Sequence, residues 1–542
     1  MNTTMQSYPV DIYSIKKCGI EEWHKNFFWP VSILEYEKLC SDIDKMVDKI
    51  ICEASAEVRD ALLVLYGSLT VGISLLIHHQ LVINRYRAKD HTIQYHVDRE
   101  PQPTIGMLSS SEYWDILINE KPITNLVRKP LPNEPTIIKI ILDSLRSIKT
   151  NVIENGLLEY TKSLLLQKEC ILYAESPSNY LREYAKNSGK MMRNVSQSSF
   201  LASTVNMDNY TREIKSSISA YIRGIKEIST MHKASLSDQH ISELFGLFEN
   251  DVHKIINVIE TIKRKLSKST HRTTFMFMRT GNLFIRSLGI SCNKTGNQAI
   301  AVTHGNYFGI FDNNRVSKIL FGCTDYFVPP SKGSAHLFSE SIKKYINPLG
   351  KLVKVLPAIK TLSSSQLIEE QSKSKLPRAI QNVMIIEDGL VPHFQPWPFY
   401  LDFNLRKALM LRKKMNGIKL ILKKHPDRLA ESEGVYEGYY DELLSSPFEQ
   451  VREKADAYIF SHIGTTAFGF ALFTSKPIIV FEHNLENLLE SVRGPLLGRC
   501  RVIRSWYNHD GRIMFDEDSL VAALKKKPEI PDNEFVKSFM LT

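Results

Sequence analysis

The sequence predicts an α/β protein with two domains and a helix-rich first part, and three observations predict it. At 542 residues the chain exceeds what one hydrophobic core organises. From Asn382 onward, short apolar runs alternate with helical segments in strict succession, the pattern of a parallel sheet covered on both faces. The first half instead carries apolar positions at helical spacing.

In chain order, "SILEYEKLCSDIDKMVDKIICEA" from Ser32 and "SELFGLFENDVHKIINVIETIKRKL" from Ser242 predict long amphipathic helices. The uncharged stretch Ala61 to Ile77 falls short of the roughly 20 residues that span a bilayer and predicts a core helix. "CILYA" from Cys170, "TTFMFMR" from Thr273, "AIAVTHGN", "KILFGCTDYFV" and "KLVKVL" predict strands. The polar, serine-rich stretch 361–381 has no apolar period and predicts a linker, which divides the chain into 1–360, the linker, and 382–542. Beyond it, "NVMII", "IKLILK", "AYIF" and "PIIVF" predict buried strands, and "LRKALMLRKKMNG" and "TTAFGFALFTS" predict helices. Ser446-Pro447-Phe448-Glu449 predicts a capping box with proline at the first helical position. "LVPHFQPWPFY" after the first of these strands reads as a rigid aromatic loop suited to packing on a sugar or base.

Hydrophobic residues at 43% and charged residues at 24% argue for a folded chain throughout. A formal net charge of +10 favours a partner bearing phosphates or acidic sugars, or an anionic membrane surface. Nucleic acid is not the expected partner, because the cations are dispersed and no zinc finger, aromatic RNA-binding signature or arginine-rich arm accompanies them. Seven scattered cysteines without a C-x-x-C pair read as reduced thiols. With an N-terminus that lacks a signal-peptide layout, they point to a cytoplasmic protein.

Ligands of open parallel sheets bind at the carboxyl ends of the strands. Glu387 and Asp388 follow "NVMII"; Lys424, His425 and Pro426 follow "IKLILK"; Ser461 to Thr466, "SHIGTT", follow "AYIF"; Glu482 and His483 follow "PIIVF". Thr465 and Thr466, after the turn at Gly464, stand where a helix begins. They either cap that helix or receive a phosphate. An imidazole at 425 could stabilise a leaving phosphate, with Pro426 fixing the turn that aims it.

"KKHP", followed about forty residues later by "ADAYIFSHIGTTAFGFALFTSKPIIVF", resembles the C-terminal nucleotide-binding domain of GT-B glycosyltransferases. More narrowly, it is similar to bacterial sialyltransferases, Kdo transferases and related capsule or lipopolysaccharide enzymes that use CMP-activated donors. CDP-glycerol-type polyol-phosphate transferases have a similar layout. The resemblance covers about Asn382 to Leu524 and implies two Rossmann-like domains facing a cleft. It implies that Lys424, His425, Pro426, Gly464, Thr465 and Thr466 hold the CMP phosphate and Glu482 the ribose, threonines standing where the family has a Ser/Thr pair. Upstream, "AIAVTHGNYFGIFDNNRVSKILFGCTDYFVP" resembles the segment of surface-carbohydrate transferases that places a His-Gly pair, here His304 and Gly305, at a cleft-facing strand end. Arg279, after "TTFMFM", is a candidate for a donor or acceptor carboxylate, and equally an ordinary turn arginine. Glu387-Asp388-Gly389 is similar to the acidic motif that supplies the base in some bacterial sialyltransferases. There the motif belongs to the N-terminal domain, whereas here it begins the C-terminal one. Asp388, with Asp312 in reserve, is the candidate base.

The expectation is therefore a GT-B enzyme that moves a Kdo or sialic-acid-like sugar from a CMP-activated donor to a glycan or lipid-linked glycan acceptor. Catalytic roles would fall to Asp388, His304 and His425, with Arg279 among the donor-binding residues. No metal or other cofactor is expected, since neither "DID" at Asp42 nor "DED" at Asp516 follows a strand. Peripheral contact with an anionic inner membrane would suit the charge. The alternatives are a CDP-polyol phosphate transferase and a non-catalytic glycan-assembly protein.

Overall fold

The structure, a computed structural model, describes residues 7–96, 110–123, 137–155, 170–174, 179–188, 190–201, 210–268, 273–278, 282–302, 309–358, 376–387, 397–426, 429–485 and 487–541. Two short strands near the N-terminus, β1 (Ser7–Pro9) and β2 (Thr92–Gln94), pair in parallel. Among the described residues the rest of the β structure is two six-stranded parallel sheets and one hairpin.

The first sheet contains β3 (Cys170–Tyr173), β4 (Met191–Asn194), β5 (Thr274–Phe277), β6 (Gln298–Val302), β7 (Tyr326–Val328) and β8 (Lys354–Val355) in the order β4-β3-β5-β6-β7-β8. The second contains β9 (Asn382–Ile386), β10 (Lys419–Lys423), β11 (Glu442–Leu444), β12 (Ala457–Phe460), β13 (Ile478–Phe481) and β14 (Arg501–Ile503), ordered β11-β10-β9-β12-β13-β14. Counted within its own sheet, that order is 3-2-1-4-5-6, the arrangement of dinucleotide-binding sheets, and it reverses between β9 and β12. The central strands are buried residue after residue, as parallel strands covered on both faces must be. The antiparallel hairpin β15 (Ser505–Tyr507) and β16 (Ile513–Phe515) follows β14.

The helical first part packs on both sheets. Helix Ile33–Glu53 opens with a capping box in which Ser32 Oγ accepts from the Glu35 amide and Glu35 Oε2 accepts from the Ser32 amide. The continuous helical stretch Ala56–Arg87 is 94% buried over its most apolar window, so the uncharged run at Ala61 is core. A π turn at Ser68–Gly72 interrupts it. Just before that turn Arg286, from a helix of the first sheet, donates to the carbonyls of Leu63 and Val64. Arg315 Nε donates to Asp44 Oδ1 at 2.9 Å, tying the Ile33–Glu53 helix to the same sheet. On the other side, His24 Nδ1 and Arg512 Nε both lie 2.7 Å from the buried Asp402 carboxylate. Burial would push that carboxyl up, and the bonds from His24 and Arg512 outweigh it and hold it below the usual carboxylate range. The same apolar core runs from Val10 to Tyr86 and on through Val383, Ile385 and Phe399.

Three local expectations are corrected. "KILF" is the end of a helix, Asn314–Phe321, because Asn313 Oδ1 caps it at Val316 N and its spacing turns Arg315 and Lys318 toward Asp44 and Asp48. Trp397 to Tyr400 are not loop residues but the buried first turn of helix Trp397–Lys414, where Pro398 is tolerated because first-turn amides have no partner inside the helix. The capping box at Ser446 does not form: Pro447, with ψ 143°, is extended and stands outside the four-residue helix Phe448–Val451. Of the expected linker, only 376–381 lies within the described residues.

Candidate functional site

β9, β10, β12 and β13 are neighbours in the order β10-β9-β12-β13, so the four strand ends singled out in the sequence share one rim. Strands lie about 4.8 Å apart, which sets the ends of β10 and β12, flanking β9, about 10 Å from each other.

At the β10 end the ladder continues one residue past the strand, with Lys424 N donating to Leu444 O at 2.8 Å. His425 then turns out of the sheet, and its amide donates to Glu387 Oε2 at 2.8 Å. Glu387, the first residue after β9, is only 2% exposed, so its carboxylate reaches across to the β10 turn from inside the protein. Burial pushes the Glu387 carboxyl up to about 7, against the opposing pull of the His425 amide, the Tyr436 hydroxyl and the ammoniums of Lys424 and Lys423. Lys424 is 9% exposed, and Pro426 is exposed.

At the β12 end Ser461 is fully buried, donating to Asn404 Oδ1 at 2.7 Å and accepting from the buried Lys407 ammonium. Lys407 also lies over the rings of Phe403 and Phe481, at 4.0 and 5.2 Å. His462 stacks on Phe311 of the first sheet's connections, with ring centroids 6.0 Å apart and planes at 5°, and its Nδ1 accepts from Gly464 N. A Cβ on Gly464 would stand 2.4 Å from the imidazole, so glycine there admits the ring. Thr465 caps the Thr466–Leu472 helix by accepting from Phe468 N at 3.2 Å, while Thr466 is exposed. Capping uses a lone pair of the hydroxyl and leaves its proton to donate.

At the β13 end Glu482 is exposed at the start of a 3-10 turn, whereas His483 faces inward. Its backbone amide and Nδ1 lie 3.0 and 2.7 Å from Ser505 Oγ. Burial, with Lys407 and His462 nearby, lowers it to about 3. Of the three histidines expected at the rim, His483 is therefore a core residue.

Asp388, His304, Gly305 and Arg279 lie outside the described residues. The reserve candidate Asp312 pairs with Lys344 and accepts from Tyr345 at 2.5 Å; burial opposes, but these partners hold its carboxyl low. It lines a cavity of about 430 Å³ with Glu340, Ser341 and Lys344 on one side and Leu489, Glu490 and Ser491 on the other. The chain is pinned beside this cavity by a bridge in which Asp312 N donates to Asn487 O and Leu489 N to Ile310 O. Among the described residues no three His, Cys, Asp or Glu side chains are grouped to hold a metal.

Lys407, Asn404 and Tyr436 were not singled out in the sequence. For Lys407 a signal existed: it falls four residues after Phe403 and four before Leu411, on a face of the helix that the neighbouring apolar residues mark as buried.

No protein-family model matches the chain, and no curated protein matches it. Among solved structures it is similar to the S. aureus MnaA–UDP co-structure, at 13% identity over 68% of this chain and 94% of that one, with a TM-score of 0.31.

Proposed function

We propose that this chain is a GT-B glycosyltransferase that moves an ulosonic or nonulosonic acid sugar, Kdo or sialic-acid-like, from a CMP-activated donor to a surface glycan precursor. The observation that carries the reading is the 3-2-1-4-5-6 order of the second sheet. Its reversal point is where such sheets bind nucleotides, and it is flanked by the Glu387–His425 pair on one side and the Ser461–Thr466 turn on the other.

In this reading the donor phosphate lies over the β10 and β12 ends. The acceptor hydroxyl attacks the anomeric carbon, the bond from that carbon to the phosphate oxygen breaks, and CMP leaves with the electron pair. The Lys424 ammonium, the His425 imidazole and the hydroxyl protons of Thr465 and Thr466 meet the charge that develops on the phosphate. Glu387 is a positioning residue that holds the His425 turn by its amide. Glu482, exposed at the neighbouring end, suits a ribose hydroxyl. The acceptor proton passes to Asp388 or His304, and Arg279 meets the sugar carboxylate.

The test is release of CMP from a panel of CMP-sugars, beside thermal melts with CMP, UDP and CDP-glycerol. CMP should raise the melting temperature, since a ligand bound only by the folded chain stabilises it. His425→Ala should lower release about 100-fold or more with the melt of the free protein unchanged. Stabilisation by CDP-glycerol alone would favour the polyol-phosphate reaction. Absence of CMP release with every donor, despite nucleotide binding, would make the chain a non-catalytic member of a glycan-assembly system.

A further inference from the structure

Helix Ile137–Asn155 turns several polar side chains toward the protein and several apolar ones toward solvent, the reverse of an ordinary surface helix. Asp143, Ser147 and Asn151 face the protein. Ser147 Oγ donates to the carbonyl of Asn194 at 2.7 Å, Asn151 Oδ1 accepts from the Asn194 amide at 2.5 Å, and Ser198 Oγ donates to Asp143 Oδ2 at 2.8 Å. Asn194 ends β4, the edge strand of the first sheet, so the helix is moored to that edge through hydrogen bonds.

Four apolar residues on the opposite side face solvent. Leu142, Leu145, Ile148 and Ile153 are 47%, 57%, 47% and 69% exposed. At 100° per residue they occupy one arc of about 140°. Exposed Lys139 and Arg146 border this arc and Lys149 lies within it. A helix of 19 residues is about 28 Å long, enough to lie along a bilayer surface rather than cross it.

We propose that this face docks on an anionic lipid surface, with the four apolar side chains entering the headgroup boundary and the three cations meeting lipid phosphates. Charge selects this occupant over a second copy of the chain. A second copy of this face would set its cations against the same cations of its partner, whereas each cation near an anionic surface contributes about a fivefold gain in partitioning. The chain's formal net charge of +10 acts in the same direction. Docking is a property of this helix and does not depend on the nucleotide site.

The test is co-sedimentation of the full chain with phosphatidylcholine vesicles, alone or with about one-third phosphatidylglycerol. The wild type should bind the anionic vesicles at least about tenfold more tightly than the neutral ones. Leu145→Glu/Ile153→Glu should abolish binding, and Lys139→Glu/Arg146→Glu/Lys149→Glu should remove the preference for anionic lipid. All five positions are exposed, so the melting temperature should not move, and Ile530→Glu, at an 86% exposed site elsewhere, should bind like the wild type. Equal sedimentation of the wild type and Leu145→Glu/Ile153→Glu would overturn the proposal. So would a dimer in solution, broken by that variant, in a protein that ignores vesicles.

Discussion

Replacing Glu387 by glutamine should change how stability depends on pH, in a direction the structure sets. The carboxyl lies 2% exposed behind the β10 turn, and burial raises it from an ordinary 4.5 to about 7. The folded state therefore holds the Glu387 proton more tightly than the unfolded chain does. Its contribution is fully present below about pH 4.5 and is lost as pH rises through about 7. A gap of that size corresponds to about 3 kcal/mol. Glutamine keeps an oxygen to accept from the His425 amide but has no charge to bury, so Glu387→Gln should show none of this loss. Urea unfolding of both proteins at intervals from about pH 4.5 to 8 isolates the effect, because every other titrating group cancels in the difference. The wild type should lose about 3 kcal/mol more than the variant over that range. Parallel curves would mean that Glu387 is ionised without penalty, and the account of the site as a buried carboxylate holding His425 would fail.

Other substitutions follow from the same geometry. Arg315→Met should cost about 3–5 kcal/mol in urea unfolding, because it leaves Asp44 buried without its guanidinium. Adding Asp44→Leu should recover most of that loss. Ser461→Ala takes a partner from both Lys407 and Asn404 and should cost about 1–3 kcal/mol in the same measurement. Gly289→Ala would put a Cβ 2.0 Å from the carbonyl oxygen of Cys323, and since backbone rather than a flexible side chain is in the way, it should cost about 1–3 kcal/mol and lower the melting temperature.

Four of the six strands of the second sheet were legible, the three-residue β11 and β14 not among them, because each is an apolar run that stops at a polar residue, as "NVMII" does at Glu387 and "AYIF" at Ser461. Their order was not, since which strands pair depends on long-range contacts that no local pattern encodes. "KILF" misled for a related reason: its apolar run fits a strand, and only the Asn313 cap and the inward turn of Arg315 and Lys318 decide for helix. Trp397 to Tyr400 looked like an exposed aromatic loop because Pro398 reads as a breaker, although proline in a first turn is no obstacle. At the rim, the sequence marks which residues follow each strand but not which way they face. Glu387 and Glu482 both come first after a strand, and His425 and His483 both come second, yet Glu387 and His483 turn inward.

That inward turn bears on what the rim is for. Strands as apolar as β9 and β12 need no buried carboxylate or buried ammonium at their ends to pair or to pack. Yet Glu387 and Lys407 both lie under them, with Tyr436 close to Glu387 and Asn404, and Asn404 bonded to the same serine as Lys407. Apolar side chains of similar size would fill these places with less penalty. The polar groups do one thing apolar ones cannot: they fix by hydrogen bonds the turns that leave the sheet at His425 and Ser461. A binding rim requires such fixed turns, because a ligand gains little from groups it must first immobilise. Under the proposed function, the energy spent on Glu387 serves a ligand at the reversal point rather than the stability of the sheet.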